Sequence, residues 1–276
     1  MHAVTREFVP DRRGNRLERH EFLAVPRGAS HLLHIRGSAE IAEQFCQDRS
    51  GWCSYRPVPE LAGGGEWWTH SLEGGGAGPG LPGAALADLL AEVLTLPRLP
   101  GADLTLALDW YKVIDQSDTW HDTFVGKLVA AGKYRASRPQ AVRAAATGLA
   151  ELMATVIGRH PLLSAATVIA PAPGHDRAVL SFGEWVGREV ASAVDVTVVE
   201  AATRHDFRPL AKDRRRGDHR IAEGEFYFRA DLTGCAVLIT DDVCQTGQTA
   251  TATALAARRA GAASVYVLAA ARTRRR

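Results

Sequence analysis

Short apolar runs and helical patterns alternate through the second half of the chain. Residues 166–170, 196–199, 235–240 and 265–270 are compact apolar stretches, each the length of a buried strand. Between them, residues 181–193 and 248–260 carry the composition and spacing of helices, and Gly261 stands where a helix C-terminal cap belongs. A longer helix is predicted upstream. Ser137 can cap it, Pro139 suits its first turn, and Val142, Leu149, Leu152, Met153 and Val156 recur along one face. Leu104, Leu106 and Leu108 alternate with small or polar residues, which predicts a strand over 103–110, and residues 84–96 read as a short Ala/Leu-rich helix. Strands separated by helices predict an α/β fold: a parallel sheet flanked by helices on both faces.

The first part of the chain is different. Tryptophans 52, 67, 68, 110 and 120 lie there, and only Trp185 follows. Residues 62–83 are dense in glycine around the Trp67–Trp68 pair and read as loop, because glycine is costly to order and offers no side chain to pack. The expected division is an N-terminal accessory or hood region, 1–120, containing the Gly-rich loop 62–83, followed by an α/β domain, 121–276.

Composition narrows the classes. Of 276 residues, 46% are hydrophobic and 23% charged, the balance of a folded globular chain. A net charge of +2 is that of neither a dedicated nucleic-acid binder nor an acidic solvating protein. The sequence shows neither an apolar stretch of the roughly 18 residues that crosses a bilayer nor a secretory signal at its start, so the expectation is a cytoplasmic protein without a membrane partner. Four cysteines are too few for a disulfide framework. Cys46 and Cys53, near His31, His34 and His70, lack the paired spacing of a zinc site.

The segment that carries chemistry is residues 236–249, Ala-Val-Leu-Ile-Thr-Asp-Asp-Val-Cys-Gln-Thr-Gly-Gln-Thr. An apolar run ends in Asp241 and Asp242, a turn follows, and an Ala-rich helix begins. Backbone N–H groups at such a helix start hold phosphate well. Gly247 lets the backbone approach an anion, and the hydroxyls of Thr246 and Thr249 add donors. Two carboxylates inside a phosphate cradle would repel the ligand; just ahead of it they can accept hydrogen bonds from sugar hydroxyls. A ligand with a 5′-phosphate next to a diol fits that order. The plainer alternative is an ordinary strand-turn-helix in which Asp242 caps the helix.

This segment resembles the phosphoribosyl pyrophosphate signature of type I phosphoribosyltransferases, in which mostly apolar residues, an acidic pair and a short loop lead to Thr-Gly-x-Thr. Gln245 departs from it, standing where many members have Thr or Ser. The Pro-x-Pro form of Thr167-Val-Ile-Ala-Pro-Ala-Pro-Gly174 looks most like the ComF-like branch. The resemblance implies that Ala172, Pro173 and Gly174 receive the pyrophosphate through their backbone, with Arg177 close by. It also implies that a basic loop closes over the pyrophosphate; here Arg204, Arg208, Lys212, Arg214, Arg215, Arg216 and Arg220 precede the acidic strand, and Gly224-Glu225-Phe226 is similar to a Gly-x-Phe element. Residues 123–134, with Lys127 and Lys133, are similar to a lysine-containing helix of that branch, or are simply an amphipathic helix. The run 272–276 reads as a solvated tail.

The resemblance implies an enzyme. Asp241 and Asp242 would hold the ribose diol, and Val243, Cys244, Gln245, Thr246, Gly247, Gln248 and Thr249 would surround the 5′-phosphate. Ala172, Pro173, Gly174, Arg177, Lys212, Arg214 and Arg215 would serve the pyrophosphate. Mg²⁺ would be bound mainly through the substrate, and the ribose phosphate would pass to an unidentified nitrogenous acceptor. A homodimer is implied by resemblance alone. Two other readings stay open: a non-catalytic phosphoribosyl pyrophosphate-sensing regulator, which would touch nucleic acid, and a competence-type accessory protein.

Overall fold

The computed structural model describes residues 9–24, 31–47, 52–57, 67–72, 83–134, 138–176, 178–206, 221 and 224–274. The chain divides into two compact units, residues 1–97 with 159–162, and residues 98–158 with 163–276.

In the first unit, β1 (Arg19–Ala24), β2 (His31–Arg36), β3 (Trp52–Pro57) and β4 (Trp67–Leu72) form an antiparallel sheet in the order β1-β2-β4-β3. Helix α1 (Ala39–Gln47) buries Ile41, Ala42 and Phe45, and the sheet buries Leu33 and Ile35. Helix α2 (Ala84–Glu92) and the short β5 (Leu94–Thr95) complete the unit. Strand β4 lies inside the segment expected to be loop. Aromatic and β-branched residues at 67–69 favour an extended chain. Trp67 is buried, and Trp68 Nε1 donates to the Gly37 carbonyl at 2.9 Å, so the tryptophan pair anchors a strand. Residues 62–66 and 73–82 of that segment lie outside the described residues.

The second unit begins with β6 (Leu104–Trp110), the hairpin β7 (Lys112–Ile114) and β8 (Trp120–Asp122), and helices α3 (Phe124–Tyr134), α4 (Pro139–Arg159) and α5 (Pro161–Ser164). There follow β9 (Val168–Pro171), α6 (Phe182–Ala193), β10 (Thr197–Val198), β11 (Ala202–Thr203), β12 (Phe226–Tyr227), β13 (Ala236–Cys244), α7 (Gln248–Arg259) and β14 (Ser264–Arg272). Its strands run in the order β10-β9-β13-β14-β6, and each of these neighbouring pairs is parallel. The α/β domain therefore starts before the boundary expected at residue 121. Strand β6 pairs along β14 from Leu104↔Tyr266 to Trp110↔Arg272, which ties residues 98–120 to the parallel sheet.

Helices cover both faces. Ala250, Ala254 and Ala257 of α7 pack with Val168, Val237, Ile239, Val265 and Val267 in one buried cluster. On the opposite face α6 lies so close that a Cβ on Gly187 would stand 2.5 Å from Thr240 Oγ1 and 2.8 Å from Pro171 Cγ. A capping box starts α6: Ser181 accepts from the Glu184 amide at 3.2 Å, and the Glu184 carboxylate accepts from the Ser181 amide at 2.8 Å. Helix α4 has the length of a bilayer-crossing helix and a mean hydropathy of 1.3, and it buries Leu149, Met153, Val156 and Ile157. Ser137, expected to cap it, is outside the described residues.

Candidate functional site

From β9 the chain passes through α6 to β10 on one side, then returns across β9 to β13 on the other. The strand order thus reverses between β9 and β13. In an open parallel sheet, the crevice beyond the strand ends at such a reversal is where ligands bind. Two loops border it here: residues 172–174 after β9 and residues 245–247 after β13. Their strands are hydrogen-bonded neighbours, with Thr240↔Pro171 as the last pair.

Strand β13 is longer than its apolar run. It continues through Asp241, Asp242 and Val243 to Cys244, with Asp241 opposite Ala269 and Cys244 opposite Arg272. The acidic pair, Val243 and Cys244 thus belong to the strand, and the loop proper is residues 245–247. Pairing with β14 supplies backbone partners that keep the chain extended past its apolar run. Successive side chains of a strand point to opposite faces. Asp242 shares the α6 face with Thr240, and a Cβ on Gly183 would come within 3.4 Å of its Cγ. Asp241 is turned to the α7 face, the face of Val237 and Ile239. The two carboxylates therefore reach the end of the sheet from opposite sides.

Their electrostatics differ as well. The Asp241 carboxyl is pushed up to about 7, first by loss of water around it and then by the charge of Asp242. Lys133 and the backbone amides of Asp242 and Val243 pull it back. Asp242 is buried and forms an ion pair with Lys133 of α3, Nζ to Oδ1 at 2.9 Å. A carboxyl poised near neutrality beside one held in an ion pair is the kind of perturbation that concentrates at functional sites.

Beyond the strand, Gln245 and Thr246 are exposed and Gly247 is buried with φ +76, at the N-cap of α7. A Cβ there would meet Leu99 Cδ2 at 2.7 Å, so both conformation and space require glycine. Gly247 has no side chain to cap α7, unlike Ser181 of α6, and the Thr246 hydroxyl accepts from the Gln248 amide at 3.4 Å. Its first amides and the Thr246 and Thr249 hydroxyls sit at the helix end that attracts anions.

One residue that organises this loop comes from the run that composition assigns to a solvated tail. Arg272 is the last residue of β14, and its Nη1 donates to the carbonyls of Cys244 (3.0 Å) and Gln245 (2.9 Å) and lies 3.3 Å from the Cys244 sulfur. Arg274 stacks its guanidinium 5.3 Å from the Trp110 ring centroid. What brings Arg272 opposite Cys244 is the register of β14 with β13. Cys244 is buried, and its thiol is pushed up to about 11 by that burial, so it stays protonated and fills space. The sequence places Lys133 only within a helix; its reach to Asp242 emerges from packing.

A cleft of about 660 Å³ adjoins the 171–174 loop, walled by Pro171, Pro173, Gly174, Val199, Thr203 and Arg229 among others. It lies on the β10 side of β9, whereas the acidic strand end lies on the β13 side, and the 171–174 loop stands between. Ala172 is buried; Pro173 and Gly174 border the cleft. Arg177, Lys212, Arg214 and Arg215 lie outside the described residues. Of the remaining basic stretch, Arg204 and His205 close the root of the β11–β12 hairpin, where buried Glu225 accepts from His205 Nδ1 at 2.6 Å.

No family model matches the chain, and no curated protein does. Among solved structures the chain is similar to a purine phosphoribosyltransferase from Pyrococcus horikoshii Ot3, at a TM-score of 0.30 and 15% identity, over 44% of this chain and 68% of that one. It is also similar to a phosphoribosylpyrophosphate synthetase from Mycobacterium smegmatis, at a TM-score of 0.30 and 21% identity, over 45% of this chain and 33% of that one, a third of the synthetase's length.

Proposed function

We propose that the second unit binds phosphoribosyl pyrophosphate and transfers its ribose phosphate to a nitrogenous acceptor, in the manner of a type I phosphoribosyltransferase. The observation that carries this is the strand end at the topological switch point. There two carboxylates, a glycine-hinged turn and a helix start whose N-cap is that glycine follow one another beside the 171–174 loop.

On this reading the amides and hydroxyls of residues 245–249 hold the 5′-phosphate, and Asp241 and Asp242 accept hydrogen bonds from the ribose hydroxyls, one from each face of the strand end. The 171–174 backbone receives the pyrophosphate, and the adjoining cleft leaves room for the part of the ligand remote from the 5′-phosphate. The bond from C1 to the pyrophosphate oxygen breaks, a bond to the acceptor nitrogen forms, and that nitrogen gives up its proton. Donors fixed around the leaving group stabilise the charge that develops on it, and such fixed electrostatics commonly supplies the largest share of an enzyme's rate enhancement. Among the described residues no group of three His, Cys, Asp or Glu side chains could hold an ion. Mg²⁺ would take its ligands mainly from substrate oxygens and water, which it retains readily, and would supply charge neutralisation to the pyrophosphate.

The test is calorimetric titration with phosphoribosyl pyrophosphate and Mg²⁺, followed by a pyrophosphate-release assay across nucleobases. Binding and release with one acceptor support the enzyme; binding with no release for any base identifies a sensor. An Asp241→Asn, Asp242→Asn double variant is expected to lose binding, and unchanged affinity would reject the diol assignment.

A further inference from the structure

Lys133 enters the proposed ribose site from outside the strand and loops that define it. Its helix is held in place: Gly132 lies directly beneath the Phe182 ring, where a Cβ would be 2.0 Å from Cζ. Phe182 opens α6, and α6 packs on β13 through Gly183 and Gly187. The ammonium is therefore delivered to Asp242 by a close-packed corner of α3, α6 and β13. The ion pair is made to Oδ1. Among the described residues nothing hydrogen-bonds Oδ2 of Asp242.

Among the described residues the groups around this carboxylate are few. Asp241 precedes it on the same strand, Lys133 approaches from α3, α6 presents Gly183, and β14 presents alanines at this level. A cation on Oδ1 fixes the rotation of the carboxylate.

We propose that Lys133 is a positioning residue of the ribose site, holding Asp242 oriented so that Oδ2 accepts from the ribose 2-hydroxyl. This rests on the diol reading of Asp242 made above. Lys133 acts through the carboxylate and touches no reacting atom.

The proposal separates ligands by their hydroxyls. Ribose 5-phosphate, 2-deoxyribose 5-phosphate and inorganic pyrophosphate are titrated into the wild type, Lys133→Met and Lys133→Arg, with thermal melts alongside. A hydrogen bond to a charged group sets the scale, so Lys133→Met is expected to bind ribose 5-phosphate about ten- to a hundredfold more weakly. Pyrophosphate affinity stays within about twofold, and Lys133→Arg recovers most of the loss. In the wild type the 2-deoxy sugar binds more weakly than ribose 5-phosphate; in Lys133→Met the two sugars bind alike, because both changes remove one interaction. Equal loss for pyrophosphate and ribose 5-phosphate would mean a merely structural ion pair and overturn the proposal, as would unchanged ribose 5-phosphate affinity. If Lys133→Met does not fold, the arginine variant and the wild-type comparison of the two sugars decide: a wild type that ignores the 2-hydroxyl overturns the proposal. A wild type that binds none of these ligands, nor phosphoribosyl pyrophosphate, removes the proposed function itself.

Discussion

Asp241 should cost the fold stability at the pH where the site works. Its carboxyl ordinarily titrates near 3.8, and in the folded chain it is pushed up to about 7 by desolvation and by Asp242. A raised folded-state pKa means that the folded chain holds the proton more tightly than the unfolded chain. The associated stability is fully present below the unfolded value and is lost as pH rises through the folded one. Between about pH 4 and 7 stability should therefore fall, by up to about 1.4 kcal/mol per pH unit for this group alone, and then level off. Asparagine imitates the protonated acid and does not titrate. Asp241→Asn should match the wild type near pH 4 and exceed it by on the order of 2–4 kcal/mol at pH 8, the lower figure allowing for water at a half-buried carboxylate. Urea unfolding of both proteins at pH steps from 4 to 8.5, with slopes compared to confirm a shared two-state transition, measures the difference directly. Parallel curves, or an asparagine variant less stable at pH 8, would refute the reasoning. The same variant should bind phosphoribosyl pyrophosphate poorly, since stability given up at a site is commonly recovered as function.

Three further outcomes follow from the packing. Gly132→Ala puts a methyl group within 2.0–2.3 Å of three atoms of the Phe182 ring and should destabilise by roughly 1–3 kcal/mol in denaturant unfolding, with Phe182→Leu relieving part of the loss. Gly247→Ala meets both a left-handed backbone (φ +76) and Leu99, so it should lower stability by roughly 1–2 kcal/mol and weaken ribose 5-phosphate binding in the same titration. Ser181→Ala removes half of the α6 capping box and should lower the unfolding free energy by about 1 kcal/mol while leaving phosphate binding unchanged.

The alternating βα pattern is legible because each buried parallel strand is a compact apolar run and each helix shows its own period. Strand β9, helix α6, helix α7 and strand β14 fall where periodicity predicts them. What periodicity cannot carry is pairing across the chain. Nothing local marks β6 as a neighbour of β14, so a boundary set by composition falls after β6 rather than before it. Likewise, β4 is hidden in a glycine-rich stretch whose composition outweighs its aromatic pair; pairing with β2 and β3 reveals it as a strand.

The site is legible to a different depth. Residue types reveal the acidic pair and the turn, yet apolar composition ends the strand at Thr240, and that ending hides a geometric fact. Because β13 runs on to Cys244, Asp241 and Asp242 cannot reach a ligand from the same side. They are placed in unlike surroundings, one desolvated among the apolar residues under α7 and one ion-paired beneath α6. A diol with two hydroxyls on adjacent carbons can bridge the strand end only if it lies across it, one hydroxyl to each face. The sugar ring would then sit over the edge of the sheet, with its 5′-phosphate toward the loop that Arg272 pins and its C1 toward residues 171–174. Asp241→Asn and Asp242→Asn made singly should on this account weaken ribose 5-phosphate binding unequally. They should also differ in pH dependence: the Asp242 variant keeps a transition from Asp241, moved to lower pH because the neighbouring charge is gone, and the Asp241 variant loses it. Identical profiles for the two single variants would mean that the carboxylates act as one interchangeable pair, and the opposed geometry would have no functional consequence.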